Sequence, residues 1–331
     1  MNIKKIGLTA LAGSLVATSV FAGEMTVTGS ASMKVEHVNG GDAHAGKSWS
    51  MGNQLEFAGS GELDNGLTVS LNMVLDQNDD STTVAAVHTG APFDSHSVSV
   101  SSDALGTLVF HGEGGSSAQG AIDTTAAGDL WDSGFGITAA QDPAASAMSD
   151  NSIFYTLPTL VDDVALTASY SPNGTAAIAG SSMSYGIGYT GVEGLSLNYA
   201  IGEDNNAANE IGVDVTTMKA SYAYGSFTVG YSSTQYDSKS TTVTVDQDVK
   251  SYNVSYTVSE NISVSYGSET IELPNDTTAD HQDIEVDGIK ASYTAGGMTI
   301  SGTMLSADNT AHGTAITEDK DQWSLAASFA F

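Results

Sequence analysis

The chain has 331 residues and carries 39 acidic against nine basic side chains, for a formal net charge of −30. All nine basic residues are Lys and there is no Cys, which excludes disulfides, thiol catalysis and thiolate-bound metals and argues against a nucleic-acid partner. Abundant Gly, Ser, Thr, Val and Tyr with only five Pro favour an all-β protein.

The first predicted element is a secretory signal peptide over residues 1–22. Two Lys precede an apolar run over residues 6–20, and a small-residue exit predicts cleavage after Ala22. The alternative is a transmembrane helix, but the run is shorter than the ~20 apolar residues that a span needs. The mature chain, residues 23–331, keeps seven Lys against 39 acids, so its formal charge would be 7 − 39 = −32.

The mature chain alternates apolar and polar residues with the period of two that is typical of β-strands. In the first segment Met25, Val27 and Met33 share one face, whereas Thr26 and Lys34 share the other. The pattern predicts sixteen strands, near residues 24–38, 48–62, 66–76, 94–103, 106–112, 150–157, 162–171, 182–191, 194–203, 212–224, 226–237, 248–259, 261–272, 284–295, 298–307 and 320–331.

The connections between these strands alternate in length. Every second one is a tight turn, such as Asp64-Asn65-Gly66, and the intervening ones are longer, polar and acidic. An up-and-down meander gives this regularity when its two ends face different environments. The third long connection, about residues 113–149, shows no sustained alternation, and a long excursion of this kind usually has a function.

The two faces of the strands predict a barrel that is apolar outside. A closed barrel of sixteen strands is too wide to fill its interior with side chains, so a soluble barrel packed inside is excluded. We therefore expect the apolar face to contact lipid and the polar face to line a hydrated lumen. Closure also satisfies the backbone hydrogen bonds in the bilayer. Tyr and Trp near strand ends, such as Trp49, Tyr224 and Trp323, fit aromatic girdles.

With these features the mature chain resembles the Gram-negative general porins, and it is most similar to alphaproteobacterial sixteen-stranded members. The resemblance rests on the signal peptide, the meander, the acidic third loop, the segment DNSIFYTLPTLVDDVALTASYSP and the ending WSLAASFAF. It implies a homotrimer of water-filled pores, a third loop folded into each barrel, and Phe331 as an assembly signal. The absence of Arg and of a Pro-Glu-Phe-Gly run departs from the family pattern of an acidic loop facing Arg.

Candidate pore residues follow from the loop and from the alternation. Charged groups at a narrow point set the ion selectivity of a pore. The acidic loop offers Glu113, Asp123, Asp129, Asp132 and Asp142. Its apolar Trp131 and Phe135 are candidates for anchoring it to the wall, and the lumen-facing basic residues are Lys34, Lys219 and Lys290.

Other motifs are weak. The seven His show no metal-binding pair at helical spacing, and Asp76, Asn78 and Asp80 lack the Gly and Glu that would complete a calcium loop. We expect no cofactor, although loose divalent-cation binding at the acidic loops stays open.

The sequence thus predicts an outer-membrane porin, exported through the periplasm, for passive diffusion of small hydrophilic solutes and ions. It would prefer cations, have no enzymatic activity, bind no nucleic acid, and contact outer-membrane lipid and lipopolysaccharide. The alternatives are a secreted acidic β-rich surface protein or adhesin and, with no supporting motif, an outer-membrane barrel hydrolase.

Overall fold

The computed structural model describes residues 25–40, 46–76, 93–122, 125–132, 146, 150–172, 180–205, 212–239, 246–274, 281–313 and 319–331. The predicted signal peptide lies outside these ranges. The strands are β1 Met25–Gly40, β2 Gly46–Glu62, β3 Thr68–Asp76, β4 Ser95–Ser102, β5 Gly106–Glu113, β6 Ser152–Thr156, β7 Val164–Ser171, β8 Ser182–Tyr189, β9 Leu195–Asp204, β10 Val213–Tyr224, β11 Phe227–Ser238, β12 Gln247–Ser259, β13 Ile262–Glu272, β14 Ile284–Ala295, β15 Met298–Asp308 and β16 Lys320–Ala330.

The strands form one closed antiparallel barrel. Each strand pairs with its neighbours in sequence, and β1 pairs with β16 to close the ring. The closing ladder runs from Ser30 opposite Ala330 to Gly40 opposite Lys320. The predicted sixteen-stranded barrel is confirmed, and its strand bounds agree with the structure to within about two residues because the period-two pattern persists through every strand. Within these same ranges no helix is long and apolar enough to span a membrane.

One end of the barrel carries short turns and the other carries long connections, as the sequence predicts. The turn after β2 is closed by a 2.8 Å hydrogen bond from the Gly66 N–H to the Leu63 carbonyl. Gly66 has a φ of +79°, a conformation in which a Cβ would cost energy. We call the opposite end the long-loop end.

Large apolar side chains cover the outside of the barrel. Trp49 is 79% exposed and Tyr224 is 74% exposed, whereas Gln322, on the other face of the wall, is buried. In β16 Trp323, Leu325 and Phe329 point outward, and Ser324 is hydrogen-bonded on the lumen side to Thr303 of β15. The outer surface is therefore suited to lipid.

The alternation reverses near the long-loop end of β10 to β15. Here the outward side chains are polar, as Asp214, Glu285 and Asp308 show, and many of the inward side chains are apolar. The expectation of a uniformly polar lumen face is wrong in this region. The physical reason is that a loop inside the barrel packs its Ala127 and Leu130 against inward side chains of β12 to β15. They are Val249, Ile271, Ile284, Val286, Leu305 and Ala307; Val213 and Val215 of β10 are also buried.

Candidate pore constriction

We call the connection between β5 and β6, residues 114–151, the inner loop, because its described residues 117–119, 125–131 and 146 lie against the lumen side of the barrel. Its first contacts are with hydroxyl groups on the lumen face of two strands. The Ala118 N–H donates to Ser169 Oγ of β7 at 2.9 Å, and the Gln119 N–H donates to Ser184 Oγ of β8 at 2.6 Å. Because both serines are buried, the loop lies directly against the wall at this point.

Gln119 joins two parts of the inner loop to the wall. Its Nε2 donates to Thr217 Oγ1 of β10 at 2.6 Å, and its Oε1 accepts from the Ser146 N–H at 2.7 Å. Ser146 Oγ in turn lies 2.6 Å from Ser117 Oγ. The amide of Gln119 is fully buried, so all of its polar atoms need partners, and these contacts supply them.

The next part of the inner loop, residues 125–131, crosses β10 to β14. Ser251 Oγ of β12 accepts from the Ala126 and Ala127 N–H groups at 3.1 and 2.9 Å. Glu269 Oε2 of β13 accepts from the Trp131 N–H at 2.9 Å. Wall side chains thus provide the hydrogen-bond partners that a strand neighbour would provide in a sheet.

Apolar packing adds to these polar contacts. Leu130 is 1% exposed and lies with Ala127 in a cluster of buried wall residues, against which Trp131 packs. The cluster contains Ala127, Leu130, Val249, Ile271, Ile284, Val286, Leu305 and Ala307. The predicted anchor Trp131 therefore lies on the wall, whereas the predicted anchor Phe135 lies outside the part of the chain that the structure describes.

Glycines on the lumen face make room for the inner loop. A Cβ added to Gly267 of β13 would lie 2.5 Å from Ala127 Cβ, and one added to Gly202 of β9 would lie 2.5 Å from Ser146 Cβ. These distances are shorter than non-bonded carbon atoms tolerate, because favourable carbon contacts lie at about 3.5–4.0 Å. Glycine within a strand often marks such a close approach.

The structure separates the predicted acidic residues. Asp129 and Asp132 are both exposed on the inner loop, whereas Glu113 ends β5, where its Oε2 lies 3.9 Å from His96 Nδ1. Asp129 has a φ of +49° and is held by Thr125, whose Oγ1 donates to Asp129 Oδ1 at 2.8 Å and accepts from the Asp129 N–H at 2.7 Å. Asp123 and Asp142 fall outside the described ranges.

The three predicted wall lysines have different partners. Lys219 Nζ donates to the Thr125 carbonyl at 2.9 Å, and Lys290 Nζ donates to the Gly128 carbonyl at 3.0 Å. Lys34 Nζ instead lies 2.5 Å from Glu36 Oε2, which also accepts from Gln322 Nε2 at 3.0 Å. Two lysines therefore bind the backbone of the inner loop, and the third forms an ion pair on β1.

Comparison with known proteins identifies the family. A family model described as Gram-negative porin matches residues 7–284, which is most of the chain. The chain belongs to the Gram-negative porin family. The resemblance found in the sequence is confirmed, and family membership together with the closed barrel implies an outer-membrane channel. A search of curated proteins found no match for this porin.

Solved structures share the fold of this porin at low sequence identity. The loop L8 deletion mutant of OmpT, an outer membrane protein of Vibrio cholerae, has a TM-score of 0.71 at 14% identity, with 94% of this chain and 100% of that chain covered. In-vitro folded OmpT of Vibrio cholerae, in a trimer form, has a TM-score of 0.67 at 13% identity, covering 94% and 100%. The anion-selective porin from Comamonas acidovorans has a TM-score of 0.66 at 16% identity, covering 93% and 99%.

Sequence reasoning missed the wall residues that hold the inner loop of this porin. They are Ser169, Ser184, Thr217, Ser251 and Glu269. The four hydroxyl residues could not be recognised by type, because Ser and Thr occupy lumen-facing positions throughout the barrel. The strand glycines were the available signal, since they fall at lumen-facing positions where the loop passes.

Metal ligands are not assembled in the described part of this porin. Within the residues that the structure covers, no group of three or more His, Asp or Glu side chains is arranged to hold a metal ion. Of the weak calcium-like motif only Asp76 falls in those ranges, and it is exposed at the end of β3.

Proposed function

We propose that this porin forms a water-filled channel for passive diffusion of small hydrophilic solutes and ions across the outer membrane, with a preference for cations. A sixteen-stranded barrel leaves an aqueous interior. The inner loop narrows that interior because it lies against the lumen side of the wall from β7 to β14. Diffusion through such a constriction requires no catalytic residue and no resident cofactor.

The cation preference rests on one observation: the two acidic residues described in the loop segment 125–132 are exposed, whereas the three predicted wall lysines are each bound to a partner. Asp129 and Asp132 are exposed inside the barrel on the loop that narrows it. Lys219 and Lys290 donate hydrogen bonds to carbonyl groups of the inner loop, and Lys34 forms an ion pair with Glu36. A net charge of −30 adds to the same potential. Negative potential in a cleft with low-dielectric walls concentrates cations.

The fold does not predict the ion preference, so the preference is argued from the charged residues of the loop and wall. One of the structures with the same fold is described as anion-selective. The whole chain carries 39 acidic against nine basic residues, and negative charge of this kind favours cations. The charges on the loop and wall therefore support the proposal, and the barrel architecture does not.

The proposed assembly is a homotrimer in lipid and lipopolysaccharide, exported by a signal peptide over residues 1–22. It is supported by the apolar outer surface and by the trimer form of OmpT, which has the same fold. Divalent cations bound loosely at the acidic loops would reduce repulsion between the chain and anionic headgroups. Conductance that rises in groups of three equal steps in a planar bilayer would support the trimer.

The selectivity is tested by reversal potentials in a potassium chloride gradient. We expect the wild-type porin to prefer potassium. Two single variants, Asp129→Asn and Asp132→Asn, should each weaken that preference. Asn tolerates the positive φ of residue 129, so the loop backbone is preserved. The matched control is Asp64→Asn, which removes one charge in the exposed turn after β2.

Two outcomes would contradict the cation preference. One is chloride preference in the wild-type channel, and the other is an equal shift from Asp64→Asn and from each loop variant. The preference should also decline at 1 M salt, where the Debye length is only ~3 Å.

A further inference from the structure

The inner loop crosses the barrel without forming secondary structure of its own between residues 125 and 131. Buried backbone N–H and C=O groups must be hydrogen-bonded, and a loop against a wall cannot rely on water alone. Two kinds of partner are therefore needed, one that accepts from N–H groups and one that donates to carbonyl groups. The wall supplies both kinds.

Acceptors and donors on the wall are sorted according to the backbone group they meet. N–H groups of the loop face the hydroxyl of Ser251 and the carboxylate of Glu269. Carbonyl groups face Lys219 and Lys290. A lysine ammonium has three N–H donors and no acceptor, so it suits a carbonyl partner. Hydrogen bonds of this charged type are stronger than neutral ones.

We propose that Lys219 and Lys290 are positioning residues that clamp the inner loop to the barrel wall. The inference rests on the proposed channel function and adds a role beyond the electrostatic one. Lys219 fixes the loop at Thr125 and Lys290 fixes it at Gly128, on either side of the Ser251 contacts. The carboxylates of Asp129 and Asp132 follow these two points, so the clamps also set where those charges lie.

Lys34 provides the matched comparison. It carries the same charge on the lumen face, but its Nζ is bound to the carboxylate of Glu36 on the same strand. Replacement of any of the three lysines by Met removes one positive charge from the lumen. Among the contacts within the described residues, those of Lys219 and Lys290 include a hydrogen bond to the inner loop, and that of Lys34 is with Glu36.

The first experiment records single channels of Lys34→Met, Lys219→Met and Lys290→Met. All three variants should shift the reversal potential toward stronger cation preference. The variance of the open-channel current should rise several-fold in Lys219→Met and Lys290→Met because their loop is released, and it should stay at the wild-type level in Lys34→Met. Lys219→Arg and Lys290→Arg keep an N–H donor for the loop carbonyl, so their open-channel current variance should stay at the wild-type level.

The second experiment replaces the clamp by a covalent bond. A Cβ built at Gly230 would lie 3.4 Å from Ala126 Cβ, close to the roughly 3.5–4.5 Å found in disulfides. The chain has no native Cys, so Ala126→Cys with Gly230→Cys gives a single pair. In the Lys219→Met background the oxidised pair should give a quiet channel, and addition of a reductant should make the same channel noisy.

The outcomes separate the clamp from the channel itself. Equal current variance in all three Met variants, whether low or high, overturns the clamp, because loop attachment would then make no difference. If Lys219→Met does not fold alone, the clamp is tested with the Ala126→Cys, Gly230→Cys, Lys219→Met variant, which is folded in its oxidised form. A current that stays quiet after reduction of this variant would contradict the clamp. Absence of any current from the wild-type protein contradicts the proposed function instead.

Discussion

Glu269 is a carboxylate with 1% of its surface exposed, placed between the inner loop and β13. Its Oε2 accepts from the backbone N–H of Trp131, and its neighbours in the wall include Ile271 on the same strand and Val286 opposite it on β14. A buried carboxylate is costly unless it is hydrogen-bonded, so its presence in an apolar cluster needs a reason. The reason is that it supplies the acceptor for a loop N–H that faces a wall of apolar side chains.

Replacement of Glu269 by Leu should loosen the loop around Trp131. The backbone N–H of Trp131 would lose its acceptor, and an unpaired buried donor costs about 1–3 kcal/mol of stability. Glu269→Gln keeps a carbonyl oxygen of the same reach and serves as the control. The porin has three Trp, and Trp49 and Trp323 lie on the lipid face, so a Trp49→Phe, Trp323→Phe background leaves Trp131 as the reporter.

In that background Glu269→Leu should make Trp131 fluorescence more accessible to acrylamide quenching, whereas Glu269→Gln should leave the quenching constant unchanged. Equal quenching in the two variants would show that the hydrogen bond from the Trp131 N–H does not hold this part of the loop. The fluorescence readout needs no ion current, so it is independent of the channel measurements.

At the scale of elements, the strands could be predicted from the sequence and the path of the inner loop could not. A strand that contacts lipid on one face and water on the other repeats its alternation along the part that lipid covers, as in residues 27–36 of β1 and 322–329 of β16. The loop has no such period. Its position depends on which serines, such as Ser169 and Ser251, it meets, and serines elsewhere on the lumen face are identical in type.

The reversal of polarity near the long-loop end was also beyond sequence reasoning. Val286 and Leu305 lie on the inward face, where lumen residues are otherwise polar, and they pack against Ala127 and Leu130 of the inner loop. The alternation in this region predicts a strand, but it does not predict that the inner loop packs against the strand. Of the site residues, the roles of Lys219 and Lys290 were predicted only to the extent that both point inward.

The glycine contacts make a prediction for the packing of β13 against the loop. Gly267→Ala places a Cβ 2.5 Å from Ala127 Cβ, so the loop must shift. Overpacking of this kind costs about 1–3 kcal/mol. We expect a lower unfolding temperature on heat-modifiable gels and a larger open-channel current variance. Gly59→Ala in β2, where a Cβ would have no neighbour within 4 Å, is the control.

If Gly267→Ala has the unfolding temperature and current variance of Gly59→Ala, the inner loop accommodates the added Cβ, and the close approach at β13 does not constrain the loop. A change in unfolding temperature without a change in current would place the strain in the wall alone.

At the scale of the whole molecule, two apolar surfaces hold this acidic chain together. One is the outer belt, which lipid covers, and the other is the cluster between the inner loop and β12 to β15. The second surface behaves as a small core, because its residues are buried from water as in a soluble protein. The loop thus contributes to the stability of the barrel as well as to the width of its interior.

Closure of the barrel depends on the last residue as well as on β16. The Phe331 N–H donates to the Gly29 carbonyl at 2.9 Å, and the Gly29 N–H donates to the Phe331 carbonyl at 2.8 Å. The ring of Phe331 is 75% exposed and lies over Gly29, where a Cβ would be 2.5 Å from it. The backbone therefore closes the ladder, while the ring remains accessible to an assembly factor or to lipid.

Deletion of Phe331 should reduce outer-membrane assembly more than it changes the conductance of the pores that form. The deletion removes both the ring and the two backbone hydrogen bonds, whereas Phe331→Ala removes the ring alone. Conductance should stay near the wild-type value because the ring points away from the lumen. The measurements are the amount of folded porin in the outer-membrane fraction, read on heat-modifiable gels, and single-channel conductance.

Phe329→Ala is the matched control, because Phe329 lies on the same outward face of β16 but leaves the chain end unchanged. If Phe331 acts as an assembly signal, Phe331→Ala and the deletion should both reduce the folded fraction and Phe329→Ala should not. If only the deletion reduces it, the backbone ladder to Gly29 carries the effect. Equal losses from Phe329→Ala and Phe331→Ala would mean that general apolar area, and not the terminal aromatic residue, drives assembly.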